Sequence, residues 1–244
     1  MVRHGESIWN LENRFTGWQN INLSERGIKE SLDAGKRLKE QGFKFDMCFT
    51  SVLKRAINCF NYIAEEMDMH HIPVYKSYRL NERQYGALEG LNKSETAAKH
   101  GEGQVKIWRR SYDIPPPKLE IGDPRSPHNN PVYSHLPRDA LPLSESLKDT
   151  VARVIPYWLD NICPPVIDGK NVIITAHGNS IRAIMKYLGN ISENDIVSLN
   201  IPTGVPLVYE FDEMMNPQTH YYLASEEELR MRTQAVADQG KAKK

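Results

Sequence analysis

The feature that most constrains the fold of this chain is a His-Gly pair after each of two apolar segments that lie far apart in the sequence. His4-Gly5 follows Met1-Val2-Arg3, and His177-Gly178 follows the apolar segment Val172–Ala176. Both patterns are typical of a strand that ends in a loop, and α/β folds bind ligands at the carboxyl ends of their strands. We therefore expect the two imidazoles to face one site, where one is a nucleophile and the other stabilises a transferring phosphoryl group.

Apolar segments alternate with helical patterns over most of the chain, and this alternation indicates the fold class. Strands are predicted over residues 45–50, 72–78, 172–176 and 205–211. Helices are predicted between them because apolar residues recur there every three or four positions. We expect an α/β fold, a three-layer sandwich with a mainly parallel central sheet and helices on both faces.

The predicted helices begin at residues whose side chains can cap a helix. These capping residues are Ser24, Ser51, Asn92 and Ser225. A short polar side chain at this position accepts a hydrogen bond from a free backbone N–H of the first turn. The helix after Ser146 contains Pro156, which should kink or shorten it because proline has no backbone N–H.

The chain is predicted to form one domain over residues 1–244, with two irregular parts. Residues 113–138 are rich in Pro, Asp, Asn and Ser, and long loops of this kind tend to be functional. The tail over 225–244 has a capping pattern, a short helix and a basic end at 240–244. Both parts are candidate lids, although a basic end is equally typical of a solvated terminus. Only two residues precede Arg3, so we also expect the first strand to begin upstream.

Composition disfavours several classes of function. Lys plus Arg and Asp plus Glu each total 31, and the resulting net charge of zero disfavours a general nucleic-acid binder. No segment approaches the ~20 apolar residues of a membrane span, and no leader precedes the first motif. The three cysteines form no close pair, which favours reduced thiols. We expect a cytoplasmic protein without nucleic-acid or membrane partners and, because its histidines lack metal-ligand spacing, without a metal.

Arginine residues near the predicted strand ends suit phosphate chemistry. Arg3 and Arg55 lie close to two of these ends, and Arg109-Arg110 form an adjacent pair beside Trp108. Arg binds phosphate through several hydrogen bonds in fixed geometry. Each of these residues also has a simpler interpretation as a solvated surface residue.

Glu82 is the candidate proton carrier of the sequence. It lies after a predicted strand, three residues before the phenol of Tyr85. A carboxyl group placed in this way can act as a general acid and base. The alternative is an ion pair between Glu82 and Arg79 or Arg83, and the residues alone leave both interpretations open.

Eight motifs, taken together, are far more specific than any one of these residues. They are Arg3-His4-Gly5-Glu6-Ser7, Asn13-Arg14-Phe15-Thr16-Gly17-Trp18, Thr50-Ser51-Val52-Leu53-Lys54-Arg55-Ala56, Leu80-Asn81-Glu82-Arg83, Gly90-Leu91-Asn92-Lys93, Trp108-Arg109-Arg110-Ser111-Tyr112, Glu145-Ser146-Leu147-Lys148-Asp149 and His177-Gly178-Asn179-Ser180. With them the chain resembles the histidine phosphatase superfamily and, within it, the 2,3-bisphosphoglycerate-dependent phosphoglycerate mutases. The resemblance extends essentially from Val2 to Lys244.

The resemblance implies a role for each matching residue. His4 would carry the phosphate, Arg3, Arg55 and His177 would surround the phosphoryl group, and Glu82 would move protons to and from the substrate hydroxyl. The remaining residues implied to line the substrate pocket are Asn10, Thr16, Gly17, Tyr85, Lys93, Arg109, Arg110, Gly178 and Asn179. The reaction implied is the interconversion of 3-phosphoglycerate and 2-phosphoglycerate, primed by 2,3-bisphosphoglycerate without a metal, in a homodimer or homotetramer.

Three other functions compete with this interpretation. A bisphosphoglycerate mutase, which makes and degrades the bisphosphate, commonly has Gly where this chain has Ser7. A broad-specificity phosphatase of the same fold would lack the long insertion that carries Lys93 and Arg109-Arg110. A scaffold with an inactive site is disfavoured because every implied catalytic position is filled. The chain departs from the family at residues 129–133, where an Asp-Arg-Arg-Tyr-like stretch is expected and both Arg are missing.

Overall fold

The elements of the fold follow the predicted alternation of strands and helices. The computed structural model describes residues 1–239, so the predicted basic end of the tail at 240–244 lies outside the described residues. The strands are β1 (Val2–Arg3), β2 (Met47–Thr50), β3 (Val74–Lys76), β4 (Val172–Ala176), β5 (Leu207–Phe211) and β6 (Pro217–Tyr222). The helices are α1 (Ile8–Leu11), α2 (Glu25–Glu40), α3 (Lys54–Met67), α4 (Lys93–His100), α5 (Glu102–Arg110), α6 (Leu147–Tyr157), α7 (Cys163–Ile167), α8 (Gly178–Leu188) and α9 (Glu226–Asp238).

A sheet of four parallel strands, in the order β1-β4-β2-β3, lies at the centre of the fold. Thr175 of β4 lies opposite Val2 of β1 on one side and opposite Thr50 of β2 on the other. Because all four strands run in the same direction, the residues that follow β1, β2 and β4 meet at one edge of the sheet. This edge is the one at which α/β folds bind ligands.

Helices cover both faces of this sheet, which confirms the predicted three-layer α/β architecture. Successive side chains of a strand point to opposite faces, so Ile173 and Ile174 belong to different apolar clusters. Ile173 packs in one cluster with Leu38 of α2 and with residues of α3, whereas Ile174 packs in the other with Val154 of α6 and with residues of α8. Burial of each such side chain contributes roughly 1.5–3 kcal/mol.

The sequence analysis predicted only one of the two strands of the hairpin formed by β5 and β6. β5 agrees with the predicted strand over 205–211, but the sequence of β6 gave no strand signal because its residues are mostly exposed and polar. The two strands pair antiparallel as a separate sheet, and Leu207 of β5 forms two backbone hydrogen bonds with Met1, which precedes β1.

Three of the four predicted capping residues, Ser24, Asn92 and Ser225, cap a helix, and Ser146 is a further cap that was not predicted. Ser24, Asn92, Ser146 and Ser225 each accept hydrogen bonds from backbone N–H groups of the following first turn. The prediction for Ser51 was wrong, because α3 begins after Leu53 without a side-chain cap. The Ser51 hydroxyl instead accepts a hydrogen bond from the Leu53 N–H and contacts His177, which makes it part of the site described below.

The expected effect of Pro156 is present in α6. Ordinary α-helical geometry ends at Tyr157, directly after the proline, and a π-helical turn over Trp158–Ile162 leads into α7. The missing N–H of proline removes one hydrogen bond of the helical ladder, which accounts for the change of geometry at this point.

The Pro-rich part over 113–138 is irregular, as predicted, and contains short 3₁₀ turns such as Pro127–Asn129 and Pro131–Tyr133. Tyr133 packs against Trp18, with ring centroids 5.0 Å apart. The Arg125 guanidinium donates hydrogen bonds to the carbonyl oxygens of Ala87 and Glu89. This part of the chain therefore packs against the loops that carry site residues. No helix within residues 1–239 is both long and apolar enough to cross a membrane.

Candidate active site

The two His-Gly pairs meet at the carboxyl edge of the sheet. His4 directly follows β1 and His177 directly follows β4, and these strands are neighbours with Arg3 opposite Ala176. The two imidazole rings are buried, with centroids 5.0 Å apart and planes at 65°. The register of two adjacent parallel strands thus brings together residues that are 173 positions apart in the sequence.

The hydrogen bonds of His4 show which of its ring nitrogens carries the proton and which carries the lone pair. Nδ1 lies 2.7 Å from the carbonyl oxygen of Gly5, which can only accept, so Nδ1 carries the proton. Burial, together with the Arg55 and Arg3 guanidinium groups, lowers the pKa of His4 well below its usual value. The ring is therefore neutral and carries its lone pair on Nε2, which accepts a hydrogen bond from Arg55 Nε and is the nitrogen that can act as a nucleophile.

Arg55 is fixed beside this nucleophile by the loop that follows Phe15. Its Nε donates to His4 Nε2 at 3.2 Å, while its Nη1 and Nη2 donate to the carbonyl oxygens of Gln19 and Gly17 at 2.8 and 2.7 Å. Burial lowers the pKa of Arg55 to about 10, so the group remains a cation at neutral pH. A cation held in this position stabilises the charge of a phosphoryl group in transfer.

His177 is held by a different contact. Its Nε2 lies 2.8 Å from the Ser51 hydroxyl, and its Nδ1 is buried without a hydrogen-bond partner in the part of the chain that the structure describes. Burial is the main cause that lowers the pKa of His177 well below its usual value, and Arg55 and His4 add to it. The ring is neutral, so one nitrogen carries a proton and the other a lone pair.

Glu82 is held by its surroundings through one oxygen. Oε1 accepts hydrogen bonds from the backbone N–H of Arg83 at 2.7 Å and from the side-chain amide of Asn179 at 2.7 Å. The ion pair with Arg79 or Arg83 that the sequence left open is not formed within residues 1–239. All these contacts fall on Oε1, so Oε2 remains for the proton of a bound hydroxyl.

A buried ion pair supports the segment that carries Glu82. The Arg153 guanidinium binds both oxygens of Glu145, at 2.6 and 2.8 Å, and also donates to the carbonyl oxygen of Glu82 at 2.9 Å. The same Glu145 carboxylate accepts from the backbone N–H of Gln84 at 2.9 Å. Glu145 belonged to one of the eight motifs, but no pattern in the sequence indicated that Arg153 would be its partner.

Three cations on the pocket wall come from the helices α4 and α5. Lys93 is the first residue of α4, and Arg109 and Arg110 are the last residues of α5. Burial is the main cause of the lowered pKa of each, which reaches about 9 for Arg110 and lies well below the usual value for Lys93. Repulsion from Arg109 also lowers the pKa of Lys93 and of Arg110, so the pocket favours an anionic ligand.

The structure brings every predicted site residue except His177 onto the wall of one pocket, and His177 lies directly behind His4. The predicted residues on the wall are Arg3, His4, Asn10, Thr16, Gly17, Arg55, Glu82, Tyr85, Lys93, Arg109, Arg110, Gly178 and Asn179. Residues on the wall that the sequence did not indicate are Arg14, Phe15, Arg182, Ile201, Val236 and Gln239. No residue of 113–138 is among them, so the structure places only the tail, and not the Pro-rich part, at the pocket.

Two of the missed residues have definite contacts. Arg182 donates from Nη1 to Asn179 Oδ1 at 2.8 Å, and its spacing of three from Asn179 on α8 was the signal that could have identified it. Gln239, one residue beyond α9, accepts from Lys93 Nζ at 3.0 Å. No sequence pattern could have indicated this contact, because it joins residues 146 positions apart.

Several buried polar atoms at the pocket have no partner within residues 1–239. They include Arg3 Nε and Thr16 Oγ1. Buried donors without partners are rare because each costs about 1–3 kcal/mol. Both can donate a hydrogen bond to an anion, so the donor set fits a phosphate-bearing ligand. Within the described residues, no cluster of His, Cys, Asp and Glu suits a metal ion.

The likeness to known proteins agrees with this geometry. The model of the histidine phosphatase superfamily (branch 1) matches residues 1–219. In fold, the chain is similar to mycobacterial glucosyl-3-phosphoglycerate phosphatase, with a TM-score of 0.66 and 19% identity over 92% of this chain and 96% of that chain. It is also similar to YhfR of Bacillus stearothermophilus, with a TM-score of 0.63 and 23% identity over 92% and 94% of the two chains.

A phosphoglycerate mutase from Bacillus anthracis has the same fold. Its TM-score is 0.56, with 19% identity over 77% of this chain and 78% of that chain. At identities of this size the likeness concerns the fold, and the function has to be argued from the site.

Proposed function

The chain belongs to the histidine phosphatase superfamily, branch 1, and we propose that it is a 2,3-bisphosphoglycerate-dependent phosphoglycerate mutase. It would interconvert 3-phosphoglycerate and 2-phosphoglycerate through a phosphate carried on His4. The observation that carries this proposal is the charge of the pocket wall, where many cations face one carboxylate. The cations on the wall are Arg3, Arg14, Arg55, Lys93, Arg109, Arg110 and Arg182, and the carboxylate is Glu82.

A single phosphate next to His4 needs only part of this charge. Arg3, Arg55 and the unpartnered Thr16 hydroxyl lie on the wall with His4, whereas Lys93, Arg109 and Arg110 come from α4 and α5. A ligand with a second phosphate and a carboxylate has anionic groups for both sets of cations. This arrangement supports a bisphosphorylated carboxylic acid as the ligand, and 2,3-bisphosphoglycerate supplies the priming phosphate when bound.

In the first half of the proposed reaction, phosphorylated His4 gives its phosphate to the free hydroxyl of a monophosphoglycerate. The bond between Nε2 and phosphorus breaks, a new bond between the hydroxyl oxygen and phosphorus forms, and Glu82 Oε2 takes the hydroxyl proton. Arg3 and Arg55 stabilise the charge on the phosphoryl oxygens. The His4 lone pair returns to Nε2, while Nδ1 keeps its proton and donates it in a hydrogen bond to the Gly5 carbonyl oxygen.

In the second half, the same residues act in reverse on the other phosphate. His4 Nε2 attacks that phosphorus, and Glu82 returns its proton to the leaving oxygen, so the enzyme regains phosphorylated His4. Water must be excluded while His4 is phosphorylated, since hydrolysis would consume the phosphate. Val236 and Gln239 of the tail lie on the pocket wall and are placed to limit the access of water.

The experiment that tests the proposal measures isomerisation with and without 2,3-bisphosphoglycerate, together with phosphate release and bisphosphate synthesis. We expect isomerisation that depends on the bisphosphate. A bisphosphoglycerate mutase would mainly make and hydrolyse the bisphosphate, and a broad-specificity phosphatase would release phosphate without isomerisation. An inactive scaffold would do neither, so each outcome identifies one function.

We also propose that the enzyme acts in the cytoplasm as a homodimer or homotetramer. The three cysteines are free and buried, which suits a reducing compartment. β3 forms the outer edge of the sheet, and Tyr75 on this strand is half exposed, so a second copy has a strand edge available to it. Sedimentation of the purified protein tests the assembly, and a monomer would contradict it.

A further inference from the structure

A second carboxyl group, that of Glu89, lies buried behind the pocket and takes no part in the proposed reaction. Its residue is 1% exposed and is not on the pocket wall. Oε1 accepts hydrogen bonds from the backbone N–H groups of Trp18 at 2.8 Å and Tyr85 at 3.4 Å. Oε2 accepts from the side-chain amide of Gln19 at 2.6 Å. Both carboxylate oxygens therefore hold the loop over residues 16–19.

The same loop holds Arg55 beside the nucleophile. The carbonyl oxygens of Gly17 and Gln19 accept two of the hydrogen bonds of the guanidinium, and the third goes from Nε to His4 Nε2 at 3.2 Å. The Glu89 carboxylate thus contacts the loop, the loop contacts Arg55, and Arg55 contacts His4. Glu89 itself touches neither His4 nor the open pocket.

The turn at Gly17 is built around this carboxylate. Gly17 has a φ of 53°, in the left-handed region that favours glycine. A Cβ at this position would lie only 1.8 Å from Glu89 Oε1. The carboxylate is therefore packed directly against the residue whose carbonyl oxygen binds Arg55, and any change in the carboxylate acts on that carbonyl.

We propose that Glu89 is a positioning residue that, through the loop over 16–19, holds the Arg55 guanidinium against the reacting nitrogen of His4. The inference rests on the proposed function, because it assigns Glu89 a part in phosphate transfer at His4. The position of the guanidinium matters because the charge it stabilises develops only in the transition state.

The protonation of Glu89 supplies a readout that a purely structural residue would lack. Burial raises the pKa of Glu89 to about 7, although hydrogen bonds from Gln19, Trp18 and Tyr85 and the Arg55 charge oppose the rise. The other ionisable groups whose charges act on it are Arg125 and Tyr133. As the pH falls through about 7 the carboxylate gains a proton, and one of its oxygens stops accepting from the loop. Phosphate transfer to His4 should therefore slow as the pH falls through about 7.

A charge exchange between Glu89 and Gln19 tests this inference. In Glu89→Gln the new amide N–H group faces the Gln19 amide N–H group, so the contact between the two side chains is lost. In Glu89→Gln combined with Gln19→Glu the new amide donates to the new carboxylate, which restores the contact with the roles reversed. Gln19 also donates to the Arg125 carbonyl oxygen at 3.1 Å, and the double variant loses this bond, so rescue should be partial.

Two quantities are measured from pH 6 to 8.5: the single-turnover rate of His4 phosphorylation by 2,3-bisphosphoglycerate, and the affinity for orthovanadate. We expect Glu89→Gln to reduce the phosphorylation rate and the orthovanadate affinity about 10-fold at pH 8. The part of their decline at low pH that comes from protonation of Glu89 should be absent in this variant. The double variant should recover roughly 3-fold of this loss. The exposed Glu40→Gln serves as the control for charge removal and should match the wild type.

The inference would be overturned if Glu89→Gln phosphorylated His4 and bound orthovanadate as the wild type does. It would also be overturned if the double variant performed no better than Glu89→Gln alone. Thermal unfolding shows whether Glu89→Gln folds, and Gln19→Ala removes the same contact from the other side if it does not. If the wild type never acquires phosphate on His4, the proposed function fails. The orthovanadate affinities of the same variants still decide whether Glu89 positions Arg55.

Discussion

The pocket has two walls that are built in different ways. The sheet wall consists of Arg3, His4 and Arg55, which lie at or after the ends of β1 and β2, and it is backed by His177, which contacts His4. Its side chains are fixed by backbone carbonyl groups, and His177 is held by Ser51. The helix wall consists of Lys93, Arg109, Arg110 and Gln239, at the ends of α4, α5 and α9. The Arg109 and Arg110 guanidinium groups form no hydrogen bond with residues 1–239, so these two side chains are held less firmly than those of the sheet wall.

This difference separates chemistry from selectivity. A nucleophile and a cation fixed before the reaction stabilise any phosphoryl group in transfer, whether water or a hydroxyl receives it. Cations that are not yet fixed contribute when the ligand offers anionic groups to hold them. We therefore expect changes in the sheet wall to abolish phosphate transfer altogether and changes in the helix wall to alter which substrate is used.

The largest effect is expected from the sheet wall, where His4→Ala removes the nucleophile. No acid-labile phosphate should form from 2,3-bisphosphoglycerate, because no other imidazole lies with its Nε2 at this position. Labelling followed by acid and alkali treatment measures the result. The exposed His220→Ala on β6 is the matched control and should label normally. Acid-labile phosphate that persists in His4→Ala would assign the nucleophile to another residue.

The helix wall is tested next with Arg110→Met. We expect the KM for 3-phosphoglycerate to rise about 10- to 100-fold, since a charged hydrogen bond contributes about 1.5–3 kcal/mol. Orthovanadate affinity, which reports on the sheet wall, should change much less. Lys106→Met, on the exposed side of the same helix, is the control. A parallel loss of orthovanadate affinity would remove the distinction between the two walls.

The sheet wall was largely predictable from the sequence because its positions follow from strand ends. An apolar segment followed by His-Gly indicates a strand exit, and parallel strands bring such exits to one edge. The α/β architecture was predictable for the same reason. The position of Glu82 relative to this edge was not predictable from the sequence. The loop that carries Glu82 is held by the buried ion pair of Arg153 and Glu145, and no local sequence pattern indicates this pair.

The helix wall depends on contacts that periodicity cannot indicate. Lys93 and Gln239 meet although they are 146 positions apart, and the chain between them includes β6, which has an exposed, polar sequence without a strand signal. The failed prediction for Ser51 has a similar origin. A Ser before a helix is typically a cap, but α3 begins only after Leu53, and the Ser51 hydroxyl contacts His177, which follows a strand distant in sequence.

Ser51→Ala sharpens the comparison within the sheet wall. Ser51 accepts from the Leu53 N–H, so its own proton is available for His177 Nε2, which would leave the His177 proton on Nδ1. Loss of this buried hydrogen bond should slow His4 phosphorylation about 10-fold. The KM for 3-phosphoglycerate should change less than the rate. Ser198→Ala, which removes an exposed hydroxyl that donates to the Asp195 carbonyl oxygen, is the control. An unchanged rate in Ser51→Ala would exclude a role in orienting His177.

The smallest effect is expected from Gln239→Ala, which tests how firmly the tail belongs to the helix wall. Lys93 Nζ donates to Gln239 Oε1 at 3.0 Å before any ligand is bound, so a polyanion has to compete with this contact. A single hydrogen bond contributes about 0.5–1.5 kcal/mol, and its loss should change the KM about 3-fold. The direction in which the KM changes distinguishes two roles of the tail. A lower KM shows that Gln239 restrains Lys93, because the freed ammonium then binds the ligand more readily. A higher KM together with faster hydrolysis of phosphorylated His4 shows instead that the tail closes over the ligand and excludes water.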